Sequence, residues 1–280
     1  MNKQKTMNTK IVFHFIWLTF LIMLIAATVE FVVARTWGGM LIVDESGGYS
    51  FSSHAVLGMV AAIFYSLSPA FGSYIALKKN GKVSSLKEWF KNIFYVRSSI
   101  FHYALVGIGL TLYFFIHISI SGLSEMMPLY WLLGLIPLAV VAGGMEEAGW
   151  SHILQPELDK KYGYFVSSAI TGLFWAAWHI PLFFIPGTSQ YLVMNMWMAI
   201  ISWIVMRFFY GAILKISGKA GTFLTLLFHT LHNALLTTFI IYPSTWIATI
   251  VALTTIFFIS ILIVLIYNKK SSQNMCNNGF

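Results

Sequence analysis

Apolar residues along this chain occur in continuous runs of about 20 residues, the length that an α-helix needs to cross a bilayer. Transmembrane β-strands would give alternating segments of about ten residues instead. The pattern therefore predicts an all-α, polytopic membrane helical bundle with about eight transmembrane helices. The predicted spans are 11–34, 55–77, 100–122, 129–147, 163–186, 191–214, 220–242 and 245–267.

Lysines precede the first run, as they do in a signal peptide, but this run is about 24 residues long and exceeds an h-region of roughly 7–15 residues. It is therefore predicted to be a retained transmembrane helix. The fourth helix is expected to continue to about residue 158. The resulting organisation is an N-terminal tail (1–10), a single transmembrane domain (11–267) and a polar C-terminal tail (268–280).

The chain is 58% hydrophobic and only 9% charged, whereas a soluble domain carries roughly 25% charged residues. Such a composition excludes a soluble protein of this length. Cys276 is the single cysteine, which excludes an internal disulfide framework and a cysteine-rich metal site.

The net charge of +8 follows topology and does not indicate nucleic-acid binding. If the N-terminus is cytoplasmic, fifteen of the 17 Lys and Arg residues fall in cytoplasmic segments, as the positive-inside rule requires. Arg207 lies within the sixth span, and Arg35 lies outside. We therefore predict a protein of the cytoplasmic membrane with both termini cytoplasmic. Segment 78–99 mixes basic and aromatic residues and is predicted to lie on anionic lipids at the inner surface.

Ionisable residues at membrane depth are the main functional signal. A charge at a helix centre costs roughly 2.5–3.5 kcal/mol on insertion scales, so such residues usually face the bundle interior and mark function. The candidates are His14, Glu30, His102, His117, Glu146, Glu147, His179, Arg207, His229 and His232. His14, Glu30 and His102 lie close enough to span ends to reach the surface, and His117 needs only one interhelical hydrogen bond.

The other candidates, apart from Arg207, fall in three neighbourhoods. The first, "EEAGWSHILQPEL" (146–158), follows small residues that allow close helix packing. In the second, "GLFWAAWHIPLFF" (172–184), His179 comes shortly before a proline that removes a backbone donor. In the third, "FHTLHNALL" (228–236), His229 and Asn233 share one helix face, with His232 beside them.

These side chains could together form a hydrolytic site. A carboxylate can take a proton from water, imidazoles can hold that water or a metal, and an amide can donate to a developing oxyanion. The alternative is that they only join helices, at about 0.6 kcal/mol per polar pair.

The three neighbourhoods resemble the motifs of the CAAX-protease and bacteriocin-processing family of intramembrane proteases, also called the CPBP or Abi family. Its pattern is Glu-Glu-x-x-x-Arg, then Phe-x-x-x-His, then His-x-x-x-Asn, on separate helices of an eight-helix core. The three motifs are matched here, in order and within about residues 129–240, by "EEAGWS", "WAAWH" and "HTLHN". Trp175 occupies the Phe position.

The resemblance implies peptide-bond hydrolysis within or beside the bilayer, with a membrane-anchored protein or peptide as substrate. Glu146 would activate water, and Glu147 would be the supporting carboxylate. His179 and His229 would position the water or a metal, and Asn233 would stabilise the oxyanion. The family has been described both as metal-free and as metal-dependent. A divalent ion such as zinc, if used, would be held by Glu146, His179 and His229.

One motif residue departs from the family pattern, because Ser151 stands where Arg is expected. An unpaired charge on Glu147 would be costly inside the bundle. We expect Arg207 or His152 to contact Glu147 instead, with Arg207 favoured. If neither does, the chain could be a catalytically impaired relative that acts as a membrane binding or immunity protein. A transporter is a further alternative, although the two halves lack the corresponding broken helices that carriers often show.

The catalytic interpretation also makes a geometric prediction. Glu146, His179, His229 and Asn233 should converge on one polar cavity, and His14, His102 and Glu30 should lie outside it. The depth of His229 in its span predicts that water reaches the site from the cytoplasmic side.

Overall fold

Nearly all of the long apolar runs form helices, because a backbone in hydrocarbon must satisfy its own hydrogen bonds. The computed structural model describes residues 6–36, 41–43, 49–51, 55–123, 126–239 and 246–277. The α-helices within these ranges are α1 (Thr9–Thr36), α2 (Ala55–Lys79), α3 (Leu86–Ile93), α4 (Ile100–Ser121), α5 (Leu132–Val141), α6 (Glu147–Gly149), α7 (Gln155–His179), α8 (Ser189–Val193), α9 (Met196–Ser217), α10 (Gly221–Thr238) and α11 (Trp246–Asn277).

Two short strands also lie in the described part of the chain, between α1 and α2. Strand β1 (Leu41–Val43) pairs antiparallel with β2 (Tyr49–Phe51), with Ile42 opposite Ser50. The predictions for residues 1–5 and 278–280, at the ends of the two tails, fall outside the described residues.

Six helical stretches are long and apolar enough to cross a membrane, counted over the described residues. Two of them, Leu129–Phe183 and Met196–Thr238, are far longer than the roughly 20 residues that one crossing needs. Gly163 (φ 73°) and Gly218 (φ 55°) interrupt them in the left-handed conformation that glycine adopts most easily. Each long stretch is therefore divided in two, and the predicted helical membrane bundle is confirmed.

The fourth predicted span is not one continuous helix. Helix α5 ends at Val141, where the Ala142 N–H still bonds to the Leu138 carbonyl. A 3₁₀ turn (Gly144–Glu146), α6 and a π-helical turn (Trp150–Leu154) then lead into α7. Glu146 therefore ends a 3₁₀ turn, and Glu147 begins a new helical segment. Such irregular turns inside transmembrane segments are frequent at functional sites.

Helix α3 lies in the segment predicted to be interfacial, and its contact with lipids stays a prediction. Ser85 caps its N-terminus by accepting from the Glu88 N–H, and the Trp89 indole is buried and donates to Ser73 Oγ at 3.1 Å. Hydrogen bonds from the Ser84 hydroxyl and backbone N–H hold the pKa of the exposed Glu88 below its usual value.

Several segments predicted to be cytoplasmic meet at one end of the bundle. Lys91, Asp159, Lys215 and Lys219 line one cavity of about 860 Å³, and Lys215 pairs with Asp159 at 3.0 Å. Segments 78–99, 148–162 and 215–219 therefore lie on the same side. That this side is cytoplasmic stays a prediction.

The segments that carry the three motifs surround an aromatic core. Helix α10 (third motif) packs against α6 (first motif), and α9 packs against both α10 and α7 (second motif). Trp150, Trp178, Tyr210 and Phe228 are fully buried between them. Because large rings fill the gaps between the helices, the polar residues on their inner faces are held at fixed positions.

Candidate active site

Two cavities meet at the motif helices. One has a volume of about 320 Å³ and is lined by Trp175, His179, His229 and Asn233, among others. The other, of about 500 Å³, is lined by Glu146 together with His179 and Asn233. His179 and Asn233 line both, so the predicted site residues lie around the wall that the two cavities share.

Glu146 faces the larger cavity although only 4% of its surface is exposed. Among the described residues its one hydrogen-bond donor is the Trp175 indole, whose Nε1 lies 2.7 Å from Glu146 Oε2. A carboxylate can accept several hydrogen bonds. Glu146 can therefore still accept a hydrogen bond from a water molecule in the cavity.

Glu147 is fully buried and is held by three side chains from three parts of the chain. Arg207 Nη1 donates to its Oε2 at 2.8 Å, the Ser151 hydroxyl donates to the same oxygen, and His229 Nδ1 lies 3.1 Å from Oε1. Adjacent glutamates therefore occupy different environments. One is fixed by a cation and two further donors, and the other faces a cavity.

Arg207 supplies a guanidinium beside Glu147, in a chain that has Ser151 where the motif expects arginine. Its Nη2 donates to Ser151 Oγ at 3.1 Å and to Gln155 Oε1 at 2.8 Å, and the guanidinium lies 4.6 Å from the centre of the Tyr210 ring. The small Ser151 side chain leaves room for this group. The predicted contact between Arg207 and Glu147 is confirmed, whereas His152 contacts Thr222 instead.

The orientation of His179 fixes which ring nitrogen can act on a substrate. Its Nδ1 lies 2.9 Å from the Trp175 carbonyl oxygen, which can only accept, so Nδ1 carries the proton. Its ring stacks on Trp203 with centres 4.0 Å apart. Nε2 of the neutral ring is therefore a hydrogen-bond acceptor.

His229 and Asn233 lie one helical turn apart on α10, beside the break between α5 and α6. A Cβ at Gly143 would lie 2.4 Å from Asn233 Nδ2 and 3.2 Å from His229 Nε2, so glycine allows this close approach. Asn233 Nδ2 also donates to the Ala142 carbonyl at 3.4 Å. The amide is thus held in the wall that the two cavities share.

Replacing Gly143 by Ala should lower kcat/KM of any hydrolysis at this site by about 10²-fold, because small displacements of positioning groups are costly. Gly134→Ala is the matched control, since a Cβ there meets nothing within 4 Å. Peptidase assays and thermal unfolding of both variants would check this. Equal losses of activity in the two variants would contradict the close-approach argument.

The four predicted residues line two neighbouring cavities and not the single cavity expected. Glu146 lines the larger, His229 the smaller, and His179 and Asn233 line both, whereas neither His14 nor His102 lines either. The prediction for Glu30 is wrong, since this residue lines the larger cavity with Glu146. It does not extend to the surface, because its side of α1 is packed against the rest of the bundle. The catalytic roles of the site residues stay predictions.

Sequence reasoning missed the contacts of three residues that complete the site. Trp175 was named only for its motif position, and its indole supplies a donor to Glu146 that a Phe there would lack. Gln155 orients Arg207, and Tyr210 lies under its guanidinium. A signal existed for Gln155, because Glu147, Ser151 and Gln155 follow one another at intervals of four residues.

Glu146, His179 and His229 are the three possible metal ligands. Among the described residues, no three His, Cys, Asp or Glu side chains form a group that could hold a metal ion. One ring nitrogen of His229 faces Glu147, and one oxygen of Glu146 faces the Trp175 indole. Glu146, His179 and His229 are therefore not preassembled as a three-ligand centre in the described structure, and metal binding by them stays a prediction.

Comparisons with known proteins agree with the motifs. Residues 128–235 match the family model for type II CAAX prenyl endopeptidase Rce1-like proteins. A CAAX prenyl protease 2 from Methanococcus maripaludis is 26% identical over 118 residues, which cover 39% of this chain and 40% of that protein. The chain thus matches about two fifths of this relative's length.

The matched segment nearly coincides with the predicted protease-like core of 129–240. It contains all three motifs and Arg207. The resemblance of this core to the CAAX-protease and bacteriocin-processing family is therefore confirmed, in an integral membrane protein.

Proposed function

We propose that this protein is an intramembrane endopeptidase in which Glu146 activates water to hydrolyse a peptide bond of a membrane-anchored protein or peptide. The observation that carries the proposal is the unequal environment of the two glutamates. Glu147 accepts hydrogen bonds from Arg207, Ser151 and His229. Glu146 can still accept further hydrogen bonds, and it faces a cavity that His179 also lines. Paired carboxylates with different environments are suited to different roles.

The proposed reaction begins with a water molecule between Glu146 and His179. Its two O–H groups donate to the Glu146 carboxylate and to His179 Nε2, which leaves an oxygen lone pair for the scissile carbonyl carbon. Glu146 takes one proton as the water attacks. The new C–O bond converts the carbonyl oxygen into an oxyanion, to which Asn233 Nδ2 donates.

Collapse of the tetrahedral intermediate completes the cycle. The C–N bond breaks, and the proton held by Glu146 passes to the leaving nitrogen. The products are a carboxylic acid and an amine, and Glu146 returns to its charged form. Glu147 takes no part in these transfers. It positions His229 and, through the adjoining backbone, Glu146.

The two neighbouring cavities would supply the space for substrate. A peptide in one cavity can continue into the other past His179 and Asn233, so that its backbone crosses the reacting groups. We propose that the basic end of the bundle is cytoplasmic, with both termini on that side. Anionic lipids would then contact segment 78–99.

No step of this mechanism passes through a metal, because the ligands do not form a three-donor group in the described part of the chain. Purified protein should cleave a membrane-anchored fluorogenic peptide in liposomes, and EDTA or 1,10-phenanthroline should leave kcat/KM unchanged. Activity lost to chelators and regained with zinc would overturn the metal-free mechanism. Failure to cleave any peptide in a diverse library would contradict peptidase function itself.

A binding or immunity protein without catalysis was an alternative because of Ser151. Arg207 now supplies the charge that this substitution removes. This contact supports the endopeptidase over an impaired relative, and the endopeptidase is the function we propose.

A further inference from the structure

Glu30 is a second buried carboxylate in the larger cavity, on α1 and far in sequence from the three motifs. Its exposed fraction is 9%, and its Oε1 is buried without a hydrogen-bond partner in the described structure. None of the ion pairs between described residues includes it. Of the two basic residues on the same helix, Arg35 is nearer to Glu30 in sequence than Lys10, and it lies over the Phe31 ring instead.

An ionisable residue at such a position requires a partner. A charged side chain inside a membrane protein generally faces a pathway or a ligand, because an uncompensated charge is costly there. Glu30 belongs to the wall of a cavity of about 500 Å³, the volume of a typical ligand site. Its partner is therefore to be sought in the cavity.

The charges around this cavity indicate the sign of that partner. Glu30 and Glu146 are both in its wall, and no Lys or Arg is among the described residues that line it. A cleft lined by one sign of charge in a medium of low dielectric constant attracts the opposite sign. An apolar or acidic group would leave Glu30 unpaired.

We propose that Glu30 is a specificity-determining residue that binds a cationic group of the substrate, the ammonium of a Lys or the guanidinium of an Arg side chain. The inference rests on the proposed peptidase function. Glu146 acts at the scissile bond, and Glu30 selects a basic residue elsewhere in the same peptide. Tyr65 and Ser66 line the wall with Glu30, and the Tyr65 hydroxyl donates to the Trp178 carbonyl, which holds this part of the wall in place.

The test compares membrane-anchored peptides that differ at one position, with Lys or with norleucine, which keeps most of the aliphatic chain and lacks the ammonium. The position is scanned on both sides of the cleaved bond. At one position Lys should raise kcat/KM by about tenfold or more, as expected for a buried charge pair. Glu30→Gln should bring the ratio of Lys to norleucine peptide close to one.

Two variants separate charge recognition from general damage. Glu30→Asp keeps the carboxylate and should retain a preference for Lys. Glu88→Gln makes the same chemical change at an exposed carboxylate outside the cavity and should leave the ratio unaltered. The proposal is overturned if no position favours Lys, or if the preference survives Glu30→Gln.

A binding measurement distinguishes failure of this proposal from failure of the proposed function. Affinities of the same peptides are measured by fluorescence anisotropy with the Glu146→Gln protein in nanodiscs, with and without Glu30→Gln. Preferential binding of the Lys peptide that is lost with Glu30→Gln supports the subsite even if no peptide is cleaved. Equal affinities for both peptides reject it, whatever the cleavage assay shows.

Discussion

Glu146→Gln should lower kcat/KM for a membrane-anchored peptide by about 10²–10⁴-fold, the range expected when a general base is removed. Gln has nearly the same size, and its amide oxygen can still accept from the Trp175 indole. The variant should therefore fold normally. Cleavage rates, together with expression level and thermal unfolding, measure the two effects separately.

Two control variants distinguish a loss of catalysis from a loss of folding. Glu88→Gln changes an exposed carboxylate in the same way, and activity should persist. His117→Ala removes a buried imidazole that lines neither cavity and packs behind Tyr113, a wall residue of the smaller one, and it should have a far smaller effect on kcat/KM. If His117→Ala is as inactive as Glu146→Gln, the loss reflects folding and the catalytic role of Glu146 is not supported.

Arg207→Gln should lower the free energy of unfolding by about 3–5 kcal/mol, because it leaves Glu147 charged and buried without its cation. Adding Glu147→Gln should recover part of this loss, since the double variant has no buried charge at the pair. Denaturation of the two single variants and the double variant in detergent gives the coupling energy.

The matched control is Lys215→Gln, which breaks a half-buried pair with Asp159. It should cost only about 0–1 kcal/mol, as partly exposed ion pairs usually do. Equal costs for Lys215→Gln and Arg207→Gln would contradict the assigned importance of the buried pair.

Ser151→Arg tests the exchange of arginine positions more directly. The Ser151 side chain is buried and its Oγ lies 3.1 Å from Arg207 Nη2, so a second guanidinium should overpack the site and repel the first. Combining Ser151→Arg with Arg207→Ala should relieve this and restore stability. If Ser151→Arg alone raises peptidase activity, Arg207 does not replace the motif arginine.

The sequence by itself determined the helices and the order of the motifs. Long apolar runs have few alternatives to helix in a bilayer, so composition and run length are enough to locate the spans. Each motif is a local feature of one segment. The first contains Glu146 and Glu147, the second His179, and the third His229 and Asn233. Spacing along one helix predicts which of them share a face.

Tertiary structure decided which helix faces meet. In lipid both the outer and the inner face of a helix are apolar, so hydrophobic periodicity does not indicate which way a residue points. Glu30 was expected to reach the surface because it lies near the end of its span, yet the face on which it lies lines the cavity. The Trp175 indole near Glu146 depends in the same way on how α7 is rotated in the bundle.

Arg207 lies between these cases. Its depth in a span and the lack of Arg at position 151 were enough to predict a contact with Glu147, because a buried carboxylate needs a cation. The sharing of Arg207 among Glu147, Ser151 and Gln155 follows from the packing of α9 against the irregular turns before α7. Charge balance is thus determined by composition, whereas the geometry that satisfies it is set by helix packing.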